Sequence, residues 1–188
     1  GSTPLPLWKN IGQLAKTGGS GTTAMDFIFD NPGNLSVSSG TFSFTGSTTS
    51  VLQFSSGSLT AGSWDVSGGT LDFPGTSNAT VLEAAASVTL SGAGSSFPQL
   101  QLSTIRGTFS LFGINYTTPA STSISNFGLV HVDGGATLTI NATGGTFLNT
   151  AGGTLSVYST FVSTSTLTNS LGTITGSGSI QANVTNSG

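Results

Sequence analysis

The residues of this chain that could carry out acid–base chemistry are few and scattered. Six carboxylates, three basic residues and one histidine are spread over 188 positions. Cleavage of a polysaccharide requires two acids, or an acid and a base, held together on one face. Asp65 and Asp72 stand in “SWDVSGGTLDF” on what the alternation indicates are different strands of one unit, both pointing outward. We therefore interpret both as solvated surface acids and predict no catalytic residues.

Two pairs of side chains have the chemistry of metal ligands. His131 and Asp133 in “LVHVD” point to the same side of a strand, and Asp26 and Asp30 flank “FIF”. One His with one Asp is an incomplete shell for a transition metal, and two carboxylates supply too few oxygens for calcium. The absence of cysteine excludes thiolate ligands, a Cys nucleophile and a disulfide framework. We predict no metal and no cofactor, and interpret His131 and Asp133 as an exposed neighbouring pair.

A short aromatic segment is the candidate binding site. Residues 112–122, “FGINYTTPAST”, are predicted to form a loop that leaves the regular fold and carries Phe112, Asn115 and Tyr116. Aromatic rings stack on the apolar side of a sugar, and neighbouring amide and hydroxyl groups hydrogen-bond its hydroxyls. We predict these three residues as glycan contacts. The alternative is that Phe112 belongs to the core and Tyr116 only fixes the loop.

The sequence that must position these residues is repetitive. A Gly-Thr-apolar-x-apolar pattern recurs as “GTFSF” at 40, “GTLDF” at 69, “GTFSL” at 107, “GTLSV” at 153 and, more loosely, “GTITG” at 172. Apolar and polar residues alternate within each copy, which is typical of a short strand. Asn shortly followed by Gly recurs near both ends, from Asn10 to Asn31 and again from Asn126 to Asn186. A period near 20 residues with three strands per unit predicts an all-β protein, a parallel β-helix or β-solenoid of about 20 residues per rung.

Stacked rungs would align equivalent side chains in columns along the coil. The first predicted inward column contains Phe42, Leu71, Phe109, Leu138, Leu155 and Ile174, and the second contains Phe44, Phe73, Leu111, Ile140 and Val157. An outward hydroxyl face is predicted from Thr41, Thr70, Thr108, Thr137, Thr154 and Thr173. Such a face resembles the ice-binding surface of some β-solenoids, although threonine also simply suits exposed strands. Glycines before the strands are expected at corners with positive φ, and the asparagines are expected to form hydrogen-bonded ladders.

The middle of the chain, residues 74–125, keeps the period poorly and is interpreted as an irregular insertion. Within it, the segment from Val81 to Ala86 is predicted to form a short helix. We treat residues 8–188 as a single β-solenoid domain excised from a longer repeat protein. Residues 1–7 are interpreted as a linker whose first two residues, Gly1 and Ser2, remain from cloning.

Composition limits the partners of this domain. Only 5% of residues are charged and the net charge is −3, so no basic patch for nucleic acid is expected. Hydrophobic residues make up 35% of the chain, including 12 Phe, which argues against a disordered Ser/Thr-rich linker. No apolar run approaches the roughly 18 residues of a membrane-spanning helix, and none is predicted.

The two ends of the chain carry a resemblance to known proteins. “WKNIGQLAKTGGSGTT” and “FDNPGNLSVSSGTFSFTG” resemble repeat regions of very large bacterial surface and secreted proteins. The segment from residue 149 to 188, “NTAGGTLSVYSTFVSTSTLTNSLGTITGSGSIQANVTNSG”, is similar to the strand repeats of autotransporter passengers and filamentous adhesins. The resemblance covers residues 8–73 and 126–188 and departs over 74–125. It implies a right-handed parallel β-helix at the cell surface or outside the cell, acting as an adhesin or stalk, and it supplies no catalytic residues.

We therefore expect a non-catalytic structural or adhesive segment of an extracellular protein. Its expected partners are a surface glycan or a host or matrix component, together with neighbouring repeats of the full-length chain. One alternative is a carbohydrate-binding or carbohydrate-cleaving module that acts through the irregular middle. The other alternative is ice binding through the threonine face.

Overall fold

The protein is a stack of parallel strands wound into a coil. The computed structural model describes residues 6–44, 51–73, 77–141 and 145–187; the remaining residues, including Gly1, Ser2 and the start of the predicted insertion, lie outside the described ranges. The strands form a β-solenoid of about eight turns with about 21 residues per turn, which confirms the predicted fold class. No helix in the described part of the chain is long and apolar enough to cross a membrane.

Each turn crosses three faces, which we call A, B and C in chain order. Face A contains β1 (Leu7–Lys9), β4 (Ile28–Asp30), the first parts of β8 (Ser58–Val66) and β10 (Ala79–Ser91), β11 (Leu100–Ile105), β14 (Ile124–Asn126), β17 (Phe147–Asn149), and the last parts of β19 (Thr160–Asn169) and β21 (Ser179–Asn186). Face B contains β2 (Gln13–Lys16), β5 (Asn34–Val37), the last parts of β8 and β10, β12 (Thr108–Phe112), β15 (Leu129–Asp133), β18 (Thr154–Val157) and β20 (Thr173–Thr175). Face C contains β3 (Thr22–Met25), β6 (Thr41–Phe44), β9 (Thr70–Asp72), β13 (Asn115–Thr117), β16 (Thr137–Ile140) and the first parts of β19 and β21. β7 (Phe54–Ser55) instead pairs antiparallel with the start of β8.

The core is the apolar interior of the coil. Alternation along each strand turns one side chain in two inward, and Trp64, Phe109 and Phe161 are among the largest side chains that are fully buried. Burial of each such side chain contributes about 1.5–3 kcal/mol relative to exposure. In the first half of the coil the interior is aromatic: the ring centroids of Trp64 and Phe73 lie 5.2 Å apart, and those of Phe73 and Phe97 lie 4.8 Å apart.

The two inward columns predicted from the Gly-Thr pattern are wrong as columns, although all their members except the partly buried Ile174 are core residues. Phe42 stacks on Leu71 in face C, whereas Phe109 belongs to face B, where its neighbours are Val88 and Val130. The pattern marks a corner, and both face B and face C begin after a corner. Equal sequence patterns therefore occur on two different faces of the coil.

The corner glycines at Gly107 and Gly153 are required by close packing. Their φ angles are not in the positive range that we expected from the sequence. A Cβ added at Gly107 would collide with the carbonyl oxygen of Ala86, and one at Gly153 would collide with the carbonyl oxygen of Asn126. At these corners the backbone of one turn lies directly against the next, and a side chain has no room.

The middle of the chain contributes its own turns to the coil. The helix predicted at Val81 to Ala86 is wrong, because these residues lie within β10, which pairs with β8 on one side and with β11 and β12 on the other. Leu82 and Ala86 of this segment are buried in the core, and regular alternation begins at Ala86. Tertiary packing overrides the helix propensity of the alanines. The irregularity consists of register shifts between Ala79 and Val81 and between Leu82 and Ala85.

A ladder of buried asparagines links the turns at the end of face A, as predicted. Asn10 donates to Asn31 at 2.7 Å in the first two turns. In the last turns the side-chain amide of each asparagine donates to the next: Asn126 to Asn149 at 2.8 Å, Asn149 to Asn169 at 2.8 Å and Asn169 to Asn186 at 2.9 Å. In the intervening turns this column is apolar, with Leu59, Leu82 and Ile105 in register below Asn126.

Candidate functional site

Face C is interrupted between the fourth and fifth turns. In the fourth turn its pairing consists of a single bridge between Thr70 and Ser96. The chain then turns at once toward face A, where the N–H of Leu100 bonds to the carbonyl of Phe97 at 3.0 Å. In the next turn β13 pairs with β16 on one side, and within the described ranges no strand pairs with its other edge.

This interruption opens a cleft of about 300 Å³. The fourth turn and the start of the fifth supply Leu90, Ser95, Ser96, Phe97, Pro98, Leu100 and Gln101 to its walls, and β13 and its flanks supply Ile114, Asn115, Tyr116, Thr117 and Pro119. The volume lies at the lower end of the range for small-ligand sites, and the walls combine apolar side chains with several polar ones. The cleft is therefore the candidate functional site.

Tyr116 forms one wall of the cleft and ties two strands together. Its hydroxyl donates to the carbonyl of Leu100 at 2.8 Å, and its ring packs edge-on against Phe109, with centroids 5.2 Å apart and planes at 70°. Burial raises the pKa of Tyr116 to about 12. The phenol is therefore neutral at physiological pH and acts as a donor. The loop predicted here is wrong over Asn115–Thr117, which form β13 and pair with β16. Tyr116 fixes this strand in place, as the structural alternative proposed for the loop.

The structure brings together two of the three predicted glycan contacts. Asn115 is exposed beside Tyr116, and both line the cleft. Phe112 lies on the outer side of face B, because it follows the buried Leu111 at the end of β12. Gly113, with φ of 64°, then turns the chain from face B into face C. Phe112 and Tyr116 therefore lie on different faces of the coil.

The predicted hydroxyl face is divided between two faces of the coil. Thr41, Thr70 and Thr137 lie on face C, and Thr108, Thr154 and Thr173 lie on face B. On face B, Leu129 stands in register between Thr108 and Thr154. The six threonines therefore form short separate rows and no continuous face. The physical reason is the same as for the apolar columns, since the Gly-Thr corner precedes both faces.

Several carboxylates cross-link successive turns. Asp72 accepts hydrogen bonds from Ser43 at 2.8 Å and from Gln99 at 2.7 Å. Asp30 lies 3.4 Å from the Lys9 ammonium and accepts from Gln53 at 2.6 Å, and Glu83 lies 3.2 Å from the Arg106 guanidinium. These acids hold neighbouring turns together, and the contacts explain their positions without chemistry on a substrate.

Asp65 is bonded differently from Asp72 and lies on another face. It stands on face B between Ser36 and Thr89, whereas Asp72 stands on face C. One carboxylate oxygen of Asp65 is buried and has no hydrogen-bond partner in the described part of the chain. Burial raises the pKa of Asp65 above its ordinary value. The two acids that were weighed as a catalytic pair are thus separated by a corner of the coil.

Comparison with known proteins supplies no assignment for this arrangement. No family model, curated protein or solved structure matches the chain.

Phe112 has partners that the sequence reasoning did not connect with it. His131 and Tyr158, from the next two turns, lie beside it on the outer side of face B. His131 also lies near Asp133, with Nε2 and Oδ2 3.7 Å apart, which is the neighbouring pair expected from the sequence. Within the described ranges no group of three His, Asp or Glu side chains could hold a metal ion. The sequence does not reveal this cluster, because the three residues are far apart along the chain and are brought together only by the stacking of successive turns.

Proposed function

We propose that this chain is a structural segment of a longer surface or secreted repeat protein, acting as a rigid spacer without catalytic activity. The observation that carries the proposal is the linkage between turns. Backbone pairing joins successive turns around an apolar core, and buried asparagines and carboxylate cross-links reinforce it in several of the turns. In such a coil each turn is stabilised by the turns on both sides, and length is added one turn at a time.

The two end turns support stacking of further turns. Trp8 is in register with the fully buried Phe29, yet 43% of Trp8 is exposed. At the other end Val184 is in register with the fully buried Leu167, yet 53% of Val184 is exposed. Each of these two exposed side chains is aligned with an apolar side chain of the adjacent inner turn, and that inner side chain is buried. Neighbouring repeats of the same chain would cover both surfaces.

A head-to-tail tandem tests the spacer. Asn186 ends the ladder at the position that Asn10 holds at its start, so a fusion in which Asn186 is followed directly by Ile11 keeps the register. We expect one continuous rod, about twice as long as a single coil of roughly 38 Å (eight turns at about 4.8 Å each), by small-angle X-ray scattering. We also expect a higher unfolding midpoint. The control joins the same segments through a flexible Gly-Ser linker, and equal shape and stability of the two tandems would contradict the proposal.

The cleft in face C favours an adhesive role as a second candidate. Its volume, its mixed polar and apolar walls and the exposed amide of Asn115 suit a single sugar unit of a surface glycan. A glycan array with the intact chain and with Asn115→Ala tests this role. Because Tyr116 is largely buried and packs on Phe109, Tyr116→Ala would also disturb folding, so Asn115→Ala is the cleaner variant. The matched control is Thr137→Ala on the neighbouring strand β16, and retention of binding in Asn115→Ala would exclude the cleft. Ice binding has less support, because the threonine rows are short.

A further inference from the structure

Three rings from successive turns lie side by side on the outer surface of face B. The ring centroids of Phe112 and His131 are 5.2 Å apart, and those of His131 and Tyr158 are 5.7 Å apart. Phe112 is 36% exposed and Tyr158 is 49% exposed, with the His131 side chain 22% exposed between them. We call these three residues the aromatic strip. It runs along the coil axis over two spacings between turns, roughly 10 Å.

The centre of the aromatic strip is held in place by one hydrogen bond and by a nearby carboxylate. His131 Nδ1 lies 3.2 Å from the hydroxyl of Ser156 in the next turn, and Nε2 faces the Asp133 carboxylate at 3.7 Å. The other oxygen of Asp133 accepts from the N–H of Gly134 at 2.6 Å. The strands β12 and β15, which carry Phe112 and His131, pair with one another, and β15 pairs with β18, which Tyr158 directly follows. The strip is therefore preorganised, which lowers the entropic cost of binding.

We propose that the aromatic strip binds a linear saccharide chain aligned with the coil axis. The apolar faces of pyranose rings stack on Phe112 and Tyr158, whose separation corresponds to about two linked sugar rings. Asp133, with 44% of its side chain exposed, accepts hydrogen bonds from sugar hydroxyls at the edge of the strip. Combined aromatic surface and precisely placed polar groups are the general means of orienting such ligands.

The surroundings of the aromatic strip favour a neutral saccharide over other ligands. Asp133 lies beside the aromatic strip as the charged neighbour of His131, and it repels phosphates and other anions. Beside the strip in register stand the small, nearly buried hydroxyls of Ser110 and Ser156. The apolar surface is thus one ring wide, with polar flanks, and does not offer the broad apolar area of a protein interface. The site is independent of the cleft and of the spacer function, since it lies on a different face.

The single histidine of the chain makes the strip directly observable. Because the chain has one His, the imidazole signals in a ¹H–¹³C NMR spectrum report on His131 alone. We expect these signals to shift progressively on titration with cellohexaose or chitohexaose, which are flat β-1,4-linked chains, and much less with an α-1,6-linked glucose hexamer or with glucose. No shift with either β-1,4 hexamer at several millimolar would overturn the proposal.

Affinity measurements with variants assign the binding to the strip. Tyr158→Ser and Phe112→Ser should each weaken binding of the responding hexamer by roughly tenfold, the equivalent of one stacking contact. Phe127→Ser is the matched control: Phe127 is 44% exposed but lies over Arg106, away from the strip, and its loss should change affinity by less than twofold. Comparison of melting temperatures identifies any variant that fails to fold. If both strip variants bind as tightly as the unsubstituted chain while Asn115→Ala does not, the saccharide site is the cleft and the proposal is wrong.

Discussion

The asparagine ladder makes a quantitative prediction at Asn149. Its carboxamide is fully buried, accepts from Asn126 at 2.8 Å and donates to Asn169 at 2.8 Å and to the carbonyl of Thr173 at 2.9 Å. Asn149→Ala removes these bonds and leaves the buried oxygen of Asn169 without its donor. A buried acceptor without a partner costs about 1–3 kcal/mol, and each lost bond adds about 0.5–1.5 kcal/mol. The unpaired acceptor and the three lost bonds together give an expected loss of about 2.5–7.5 kcal/mol in the free energy of unfolding.

The position of the asparagine in the ladder supplies the control. Asn186 accepts from Asn169 at the exposed end of the coil, where water can replace it, so Asn186→Ala should cost less than about 1 kcal/mol. Urea unfolding followed by circular dichroism and by fluorescence of the buried Trp64 compares the two variants.

A triple variant tests the cause of this loss. The same column is apolar in the middle turns, at Leu59, Leu82 and Ile105. Replacing Asn126, Asn149 and Asn169 together by Leu removes donors and acceptors at once, so it should cost less than the sum of the three single Leu variants. The reasoning is refuted if Asn149→Ala costs no more than Asn186→Ala, or if the triple variant is fully additive.

Three further predictions concern single polar groups. Ser43, only 2% exposed, donates to Asp72; Ser43→Ala should therefore lower stability by about 1–3 kcal/mol in urea unfolding, and a neutral result would show that this cross-link contributes nothing. Tyr116 should ionise near pH 12 in a spectrophotometric titration, and Tyr116→Phe should remove that phase and cost about 1 kcal/mol; survival of the phase in this variant would show that it does not arise from Tyr116. The raised pKa of Asp65 means that its charged form destabilises the folded protein. This loss of folding stability is present at pH values above the folded-state pKa, and it disappears as pH falls toward the unfolded-state pKa of 3.8. Asp65→Asn should stabilise the protein at neutral pH and lose that advantage near pH 3, and a pH-independent difference would contradict this cause.

The sequence was sufficient to predict the coil, because period and alternation are local signals. Residues such as Phe42 and Phe109 alternate with polar neighbours, and this places both in the core. The pattern could not distinguish face B from face C, because both begin at a Gly-Thr corner. Assignment to a face depends on pairing between turns, for example of Phe109 with Val130, and this register is not encoded in any single repeat.

The candidate sites were predictable only in part for the same reason. Asn115 and Tyr116 were found because they interrupt the regular pattern, and the structure places them on the cleft. The aromatic strip was missed because Phe112, His131 and Tyr158 become neighbours only through the stacking of three turns. Alternation in “GTFSF” turns Ser43 outward, yet this residue is only 2% exposed, because the Asp72 side chain of the next turn lies against it. Outward direction on a strand does not ensure exposure when long polar side chains lie across the next turn.

The interruption of face C gives the coil a preferred direction of bending. Between the fourth and fifth turns, faces A and B remain paired through β10 with β11 and β12, whereas face C has the cleft. With two paired faces and one open face, the coil resists bending along the paired faces and bends more easily toward the open face. Thermal bending of the rod would therefore widen and narrow the cleft. A molecule seated there would act as a wedge, so that occupation of one small site would set the angle between the two halves of the rod.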